Sequence, residues 1–194
     1  VLFTALISLP YLVPHLGFLS LIAFVPLLCA ERIATMVGKK RFFWWYFAAF
    51  LAFNLATTWW VCKATVGGGL FASFYSALFM SAIFAVFRVA RKRFSGIVPY
   101  IFLAAAWIAW ERFNLTHAQL SWPWLILGNA FGRSVSLVQW YEITGALGGS
   151  LWVWLSNIAV FSLLVSLSDG RWWRWNSKAR VAAIVSTVLV TLGP

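Results

Sequence analysis

Charge is scarce in this sequence, and acid is scarcest. Only 10% of its 194 residues are Asp, Glu, Lys or Arg, and Asp and Glu together number 4. A soluble domain carries about a quarter charged residues, so a water-soluble globular protein is excluded. Cysteine is nearly absent. Cys29 and Cys62 lie in or at the edge of apolar runs without metal-ligand spacing, and read as buried free thiols. There is no phosphate-binding glycine loop before a Lys, no His-Glu-x-x-His and no paired cysteines, so no soluble-enzyme motif is present. His15 and His117 are isolated and read as neither ligand nor base. No metal or cofactor is called for. No repeat of fixed period is visible, and nothing suggests an inverted-repeat transporter. The chain begins at Val1 without an initiator Met, and it stops at Pro194 in or just past an apolar run. It reads as a piece of a longer protein, so there is no signal-peptide pattern to interpret.

What is present is apolar. Hydrophobic residues make up 63%, Trp alone numbers 14, and the mean hydropathy is +0.87. The pattern predicts an all-α integral membrane helical bundle of about seven spans. The spans run over 1–9 (a truncated first helix ended by Pro10 and Pro14), 16–30, 42–61, 70–89, 97–110, 145–167 and 181–192. Between them lie a polar loop at 31–41, a short loop ending in Gly67, Gly68 and Gly69, a basic cluster at 88–93 and a loop at 168–180.

The basic residues set the orientation. Segments 31–41, 88–93 and 168–180 hold four Lys or Arg each, twelve in all, and only Lys63, Arg112 and Arg133 remain of the fifteen. Cytoplasmic loops carry that excess, so the first set faces the cytoplasm and the alternate loops face outward. The net charge of +11 is therefore a membrane-topology signal and does not point to nucleic acid.

The region from Trp110 to Asn157 breaks the pattern of plain apolar helix, and its centre is Ser121-Trp122-Pro123-Trp124-Leu125. Pro123 lacks a backbone donor and disfavours helix at Trp122, so the segment cannot be one straight helix. It is expected to dip into the interface as a loop between spans five and six, with its tryptophans as anchors. Glu111 and Arg112 are adjacent and point to different sides of a helix. Either both snorkel to the interface, or one faces the bundle and orders the loop that follows. Trp122, Pro123 and Trp124 are either an aromatic belt or a surface that contacts lipid, and with Glu111 and Arg112 they are the candidate lipid-contact residues. Asn54 and Asn157 lie deep in their spans and read as interhelical hydrogen-bonding groups. Gly145-x-x-x-Gly149 reads as a close helix-packing motif.

In sequence order these residues resemble the membrane domain of the apolipoprotein N-acyltransferase family, the last enzymes of bacterial lipoprotein maturation. Pro10-Tyr11, Gly17-Phe18-Leu19 and Phe24-Val25-Pro26-Leu27-Leu28 resemble the family's opening two helices. Trp59-Trp60 with Ala64-Thr65 and Gly67-Gly68 resembles its Ala-Thr-x-Gly-Gly segment. Trp110-Glu111-Arg112 resembles its Glu-x-x-Arg helix end with the spacing shortened. Trp122-Pro123-Trp124-Leu125 with Leu127-Gly128 resembles Gly-Phe-Pro-Trp-Leu-x-x-Gly, with Ser121-Trp122 in place of Gly-Phe; it is the most specific of the matches. Gly145, Gly148, Ser150 and Asn157 resemble a Gly-x-x-Gly-x-Ser…Asn helix.

The resemblance implies a nitrilase-like domain after residue 194, on the outer side, whose Glu-Lys-Cys triad takes an acyl chain from a phospholipid as a thioester. The acceptor would be the N-terminal cysteine amine of a diacylated apolipoprotein. No residue here matches that triad, and Cys29 and Cys62 are not its nucleophile. The catalytic set in this chain is none, and the segment alone is expected to be inactive. Its implied partners are the phospholipid donor, the lipoprotein acceptor and the bilayer of the bacterial inner membrane, with the Trp-Pro-Trp loop and the chain end facing the periplasm. The rival reading is a non-enzymatic membrane module such as a small transporter or scaffold. A transporter should show midplane charges or broken helices in paired positions, and only one interrupted region is visible.

Overall fold

The computed structural model describes residues 1–39, 41–116, 121–170 and 175–193. His117, and Lys40, Arg171 and Arg174 of the basic segments counted above, lie outside them. Among the described residues there are helices and no strand. They are α1 (Leu2–Leu12), α2 (Ser20–Ala23), α3 (Val25–Met36), α4 (Phe43–Thr58), α5 (Val66–Arg93), α6 (Val98–Thr116), α7 (Tyr141–Ser168) and α8 (Ser177–Leu192). A 3-10 turn at Gly17–Leu19 leads into α2, which meets α3 at Phe24, and the three make one span, Gly17–Met36. That span, α5 and α7 are each long and apolar enough to cross a membrane. Helix α4 continues into a 3-10 turn over Trp59–Lys63. At ~1.5 and ~2.0 Å rise per residue, the pair reaches about 34 Å, enough for a hydrocarbon core of ~30 Å. The protein is an all-α integral membrane bundle.

Several boundaries differ from the sequence reading, each for a local reason. Helix α1 runs through Pro10 to Leu12. The stretch 31–36, expected in a loop, is the last part of α3, and its Glu31 is buried. The Gly67–Gly69 stretch is the first turn of α5, capped by Thr65, whose hydroxyl accepts from Gly68 N at 3.4 Å. A side-chain N-cap satisfies a free first-turn donor, so the glycines need not be loop. Helix α6 runs past Glu111 to Thr116. Pro26 sits in the first turn of α3, where a missing N–H costs nothing. Cys29 and Cys62 are free as expected, but only half-buried.

The core is aromatic. Phe3, Phe24, Phe50, Phe84, Trp107 and Trp154 come from α1, the α2–α3 junction, α4, α5, α6 and α7, and all are buried. Phe24 lies 4.4 Å from Trp154 and 5.3 Å from Trp107, and Phe50 lies 5.6 Å from Trp107. Such tilted and edge-on pairs add about 0.5–1.5 kcal/mol each beyond their burial. Asn157 ties the break between α2 and α3 to α7. Its Oδ1 accepts from Phe24 N at 2.7 Å, and its Nδ2 donates to Ser20 O at 2.8 Å. Asn54 donates to Phe50 O within its own helix and to Met80 Sδ on α5.

The basic segments meet at one end of the bundle. Arg88 and Arg91 pair with Glu31, Arg88 donates to the Lys39 carbonyl, and Arg32 pairs with Asp169 at 2.7 Å. The Trp-Pro-Trp loop closes the opposite end, beside the turn that carries Trp59 and Trp60.

Candidate functional site: a strapped loop at one end of the bundle

Residues 121–140 replace helix with three short 3-10 turns, at Pro123–Leu125, Leu127–Phe131 and Val135–Leu137. Leu125, Ile126, Leu127, Gly128, Ala130 and Phe131 are buried. Buried irregular backbone leaves N–H and C=O groups that need partners. Here they come from three helices. Glu111 Oε1 accepts from Leu127 N at 2.8 Å. Ser150 Oγ on α7 accepts from Gly128 N at 3.1 Å. Tyr11 on α1 donates to Ile126 O, and Tyr141 on α7 donates to Gly128 O, each at 3.0 Å. Ser121 Oγ donates to Asn114 O at 2.6 Å, and Asn129 donates back to Pro123 O at 3.0 Å. The loop's buried backbone is therefore tied to α1, α6 and α7, although it is not regular.

Close approach depends on glycine at two places. A Cβ on Gly128 would run into the Ala146 carbonyl oxygen, and one on Gly149 would meet the Tyr141 hydroxyl and, at 2.9 Å, the Gly128 Cα. Gly149 thus seats the loop on α7. Gly145 has a different part from the packing role expected of it. It has φ 66 and ψ −177 and nothing within 4 Å of a built Cβ. That conformation is essentially reserved for glycine, so Gly145 makes the kink in α7 and not a helix–helix contact.

The two adjacent charges separate. Glu111 is 3% exposed and faces the bundle, and Arg112 is exposed. Glu111 Oε1 also accepts from Trp107 Nε1 at 2.9 Å, so one oxygen joins the aromatic core to the loop. Buried in this way, Glu111 orders the loop and does not reach the surface as a lipid contact. Pro123 and Trp122 are half-buried. Trp124 is 54% exposed and stands edge-on to Trp60, with ring centroids 5.4 Å apart. Lys63 lies 4.8 Å over the Trp59 ring. This end of the bundle therefore presents Trp59, Trp60 and Trp124 together.

Sequence reasoning assigned no part to Tyr11, Trp107, Tyr141 or Ser150 in holding the loop. Trp107 stands four residues before Glu111, a spacing that places both on one helix face. The others come from distant segments and carried no local signal.

Fold and loop together define a helical membrane domain whose irregular segment at 121–140 is anchored from within. The family model for the apolipoprotein N-acyltransferase N-terminal domain matches residues 3–159, and the chain belongs to this family. A curated relative, the apolipoprotein N-acyltransferase of Chlorobaculum tepidum, is 32% identical over 151 residues. That match covers 78% of this chain and 28% of the relative, so the chain spans well under half of the relative's length. No solved structure matches.

Proposed function

We propose that this chain is the membrane domain of an apolipoprotein N-acyltransferase, and that its loop end forms one wall of the passage by which lipid substrates reach the chemistry. In this reading the enzyme transfers an acyl chain from a phospholipid to the N-terminal cysteine amine of a diacylglyceryl-lipoprotein. The acyl group first moves to a cysteine thiolate, releasing the lysophospholipid. The lipoprotein amine then attacks the thioester, forming an amide and freeing the thiol. That nucleophile belongs to a nitrilase-like domain outside these residues. The small share of the relative that this chain covers supports the assignment. The domain sits in the bacterial inner membrane with its basic end in the cytoplasm and its loop in the periplasm. The convergence of Arg32, Arg88 and Arg91 at the opposite end from Trp124 supports that orientation.

The observation that carries the proposal is the pairing of exposure with rigidity at Trp124. An aromatic ring that merely floats in the interface needs no frame. This one projects from backbone tied to α1, α6 and α7. The test is turnover per folded full-length enzyme in detergent, with phospholipid and a diacylated lipopeptide, for Trp124→Ala and Trp122→Ala. Trp44→Ala, an exposed tryptophan near the basic end, is the control. Trp124→Ala is expected to lower turnover about tenfold or more, ~1.4 kcal/mol in the barrier, at near-normal melting temperature. Turnover equal to that of the control for both loop variants removes the loop from the substrate passage.

A further inference from the structure

Beneath Trp122 lies a small cavity bounded by α5, α6 and the loop, and its lining includes Ser76, Glu111, Asn114 and Trp122. In each of these four residues one buried polar atom has no hydrogen-bond partner in the protein: Ser76 Oγ, Glu111 Oε2, Asn114 Oδ1 and Trp122 Nε1. Buried polar atoms are nearly always paired, so four around one space require a common explanation. Their neighbours already fix them. Glu111 is held through Oε1 by Trp107 and Leu127, which leaves Oε2 over. Asn114 donates through Nδ2 to Trp110 O at 3.1 Å, which leaves Oδ1 over.

We infer that this cavity is a binding site for one structural water that joins α5, α6 and the Trp-Pro-Trp loop. Two counts carry it. The first is size. The space open to the centre of a water is ≈ 10 Å³. That is about one water and far below a lipid headgroup or a hydrated ion. The second is valence. The indole N–H of Trp122 can only donate, and the Ser76 hydroxyl can donate. Glu111 Oε2, as a carboxylate oxygen, and Asn114 Oδ1 can only accept. A water accepts two hydrogen bonds and donates two, so it satisfies all four at once. A cation could use the Ser76, Asn114 and Glu111 oxygens but would face the Trp122 N–H in a space too small for its own waters, and an anion would face two acceptor oxygens. The lining thus selects the neutral amphoteric molecule. Through it Trp122 gains a hydrogen-bonded link to the helices, beside the direct links at Ile126, Leu127 and Gly128.

The experiment uses the full-length protein in lipid nanodiscs with 15N-labelled indole groups, and crystals of the same protein that resolve ordered water. The Trp122 indole signal is assigned by its loss in Trp122→Phe. The expected result is a cross-peak from that N–H to a long-lived water, and a density peak within hydrogen-bond reach of the four atoms. Ser76→Val fills the space with methyl groups and should abolish the cross-peak. Ser76→Ala adds no bulk, and should shift the Trp122 indole proton. A wild-type protein without either signal, a cross-peak unchanged in Ser76→Val, or an indole proton unmoved in Ser76→Ala overturns the inference.

Discussion

Glu111 is the point at which the loop can be loosened without touching it. The change Glu111→Leu keeps an apolar side chain of similar bulk, one atom shorter, and removes the acceptor shared by Leu127 N–H and Trp107 Nε1–H. Its effect on global melting is a sum of opposed effects, because a buried carboxyl also carries its own desolvation cost. Local opening of the loop isolates the bond of interest. A hydrogen bond contributes about 0.5–1.5 kcal/mol to a neutral acceptor and about 1.5–3 kcal/mol to a charged one, so its loss should raise the exchange of the Leu127 amide by roughly twofold to 150-fold. Glu111→Gln keeps a carbonyl acceptor of neutral strength, ~0.5–1.5 kcal/mol, and should fall between. Arg112→Leu, one residue away and exposed, should change exchange no more than about twofold, since exposed substitutions stay within ~0.5 kcal/mol. The assay is hydrogen–deuterium exchange with mass spectrometry on peptides covering 121–131. Equal exchange in Glu111→Leu and Arg112→Leu would refute the strap, as would a Leu127 amide unchanged from wild type.

The bundle was legible because its signal is compositional. Long apolar runs and basic clusters survive any error in helix ends, and the loop was legible from Pro123 and the change of residue type around it. Boundaries were less so. The glycines 67–69 have the composition of a loop, and only Thr65, three residues ahead of the Gly68 amide, marks a helix start. Glu31 looked like a loop residue because acid is rare in apolar helices, but Arg88 and Arg91 lie some sixty positions away and their pairing is a property of the fold. The site was half legible. The choice between Glu111 and Arg112 as the inward residue turned on helix rotation, which neither residue reveals by itself. The partners Tyr11, Tyr141 and Ser150 act through space on backbone groups, and a backbone donor leaves no trace in sequence. Gly145 and Gly149 have the spacing of a helix-packing motif, yet one is a kink and the other seats a loop.

Two glycine substitutions should move stability in opposite directions. Gly128→Ala places a methyl group against the Ala146 carbonyl and should cost about 1–3 kcal/mol or more, whereas Gly67→Ala meets nothing within 4 Å and should stabilise by ~0.4–1 kcal/mol. Thermal melts of the purified variants check both, and equal melting would contradict the contact geometry. In a background lacking Cys29 and Cys62, a cysteine at Ser95 should be shielded from a membrane-impermeant thiol reagent in intact cells, and one at Ser121 should be labelled. The reverse pattern would invert the proposed orientation. The last prediction compares the two buried carboxylates. Glu31 is 0% exposed and faces Arg88 and Arg91, whose side chains are only 14% and 17% exposed, while its Oε1 also accepts from Thr35 at 2.7 Å. Glu111 has only uncharged donors around it, the Trp107 and Leu127 N–H groups and the Ser150 hydroxyl. Glu→Gln changes one atom at either site. At Glu31 it leaves two mostly buried guanidinium groups without their counter-charge, and breaking a buried pair in this way costs about 3–5 kcal/mol. At Glu111 it leaves both donors with an acceptor, and no opposite charge is stranded. Glu31→Gln should therefore melt well below Glu111→Gln, and added salt should recover little of the difference because a buried pair is poorly screened. Equal melting temperatures would mean that Glu31, like Glu111, acts only as a hydrogen-bond acceptor.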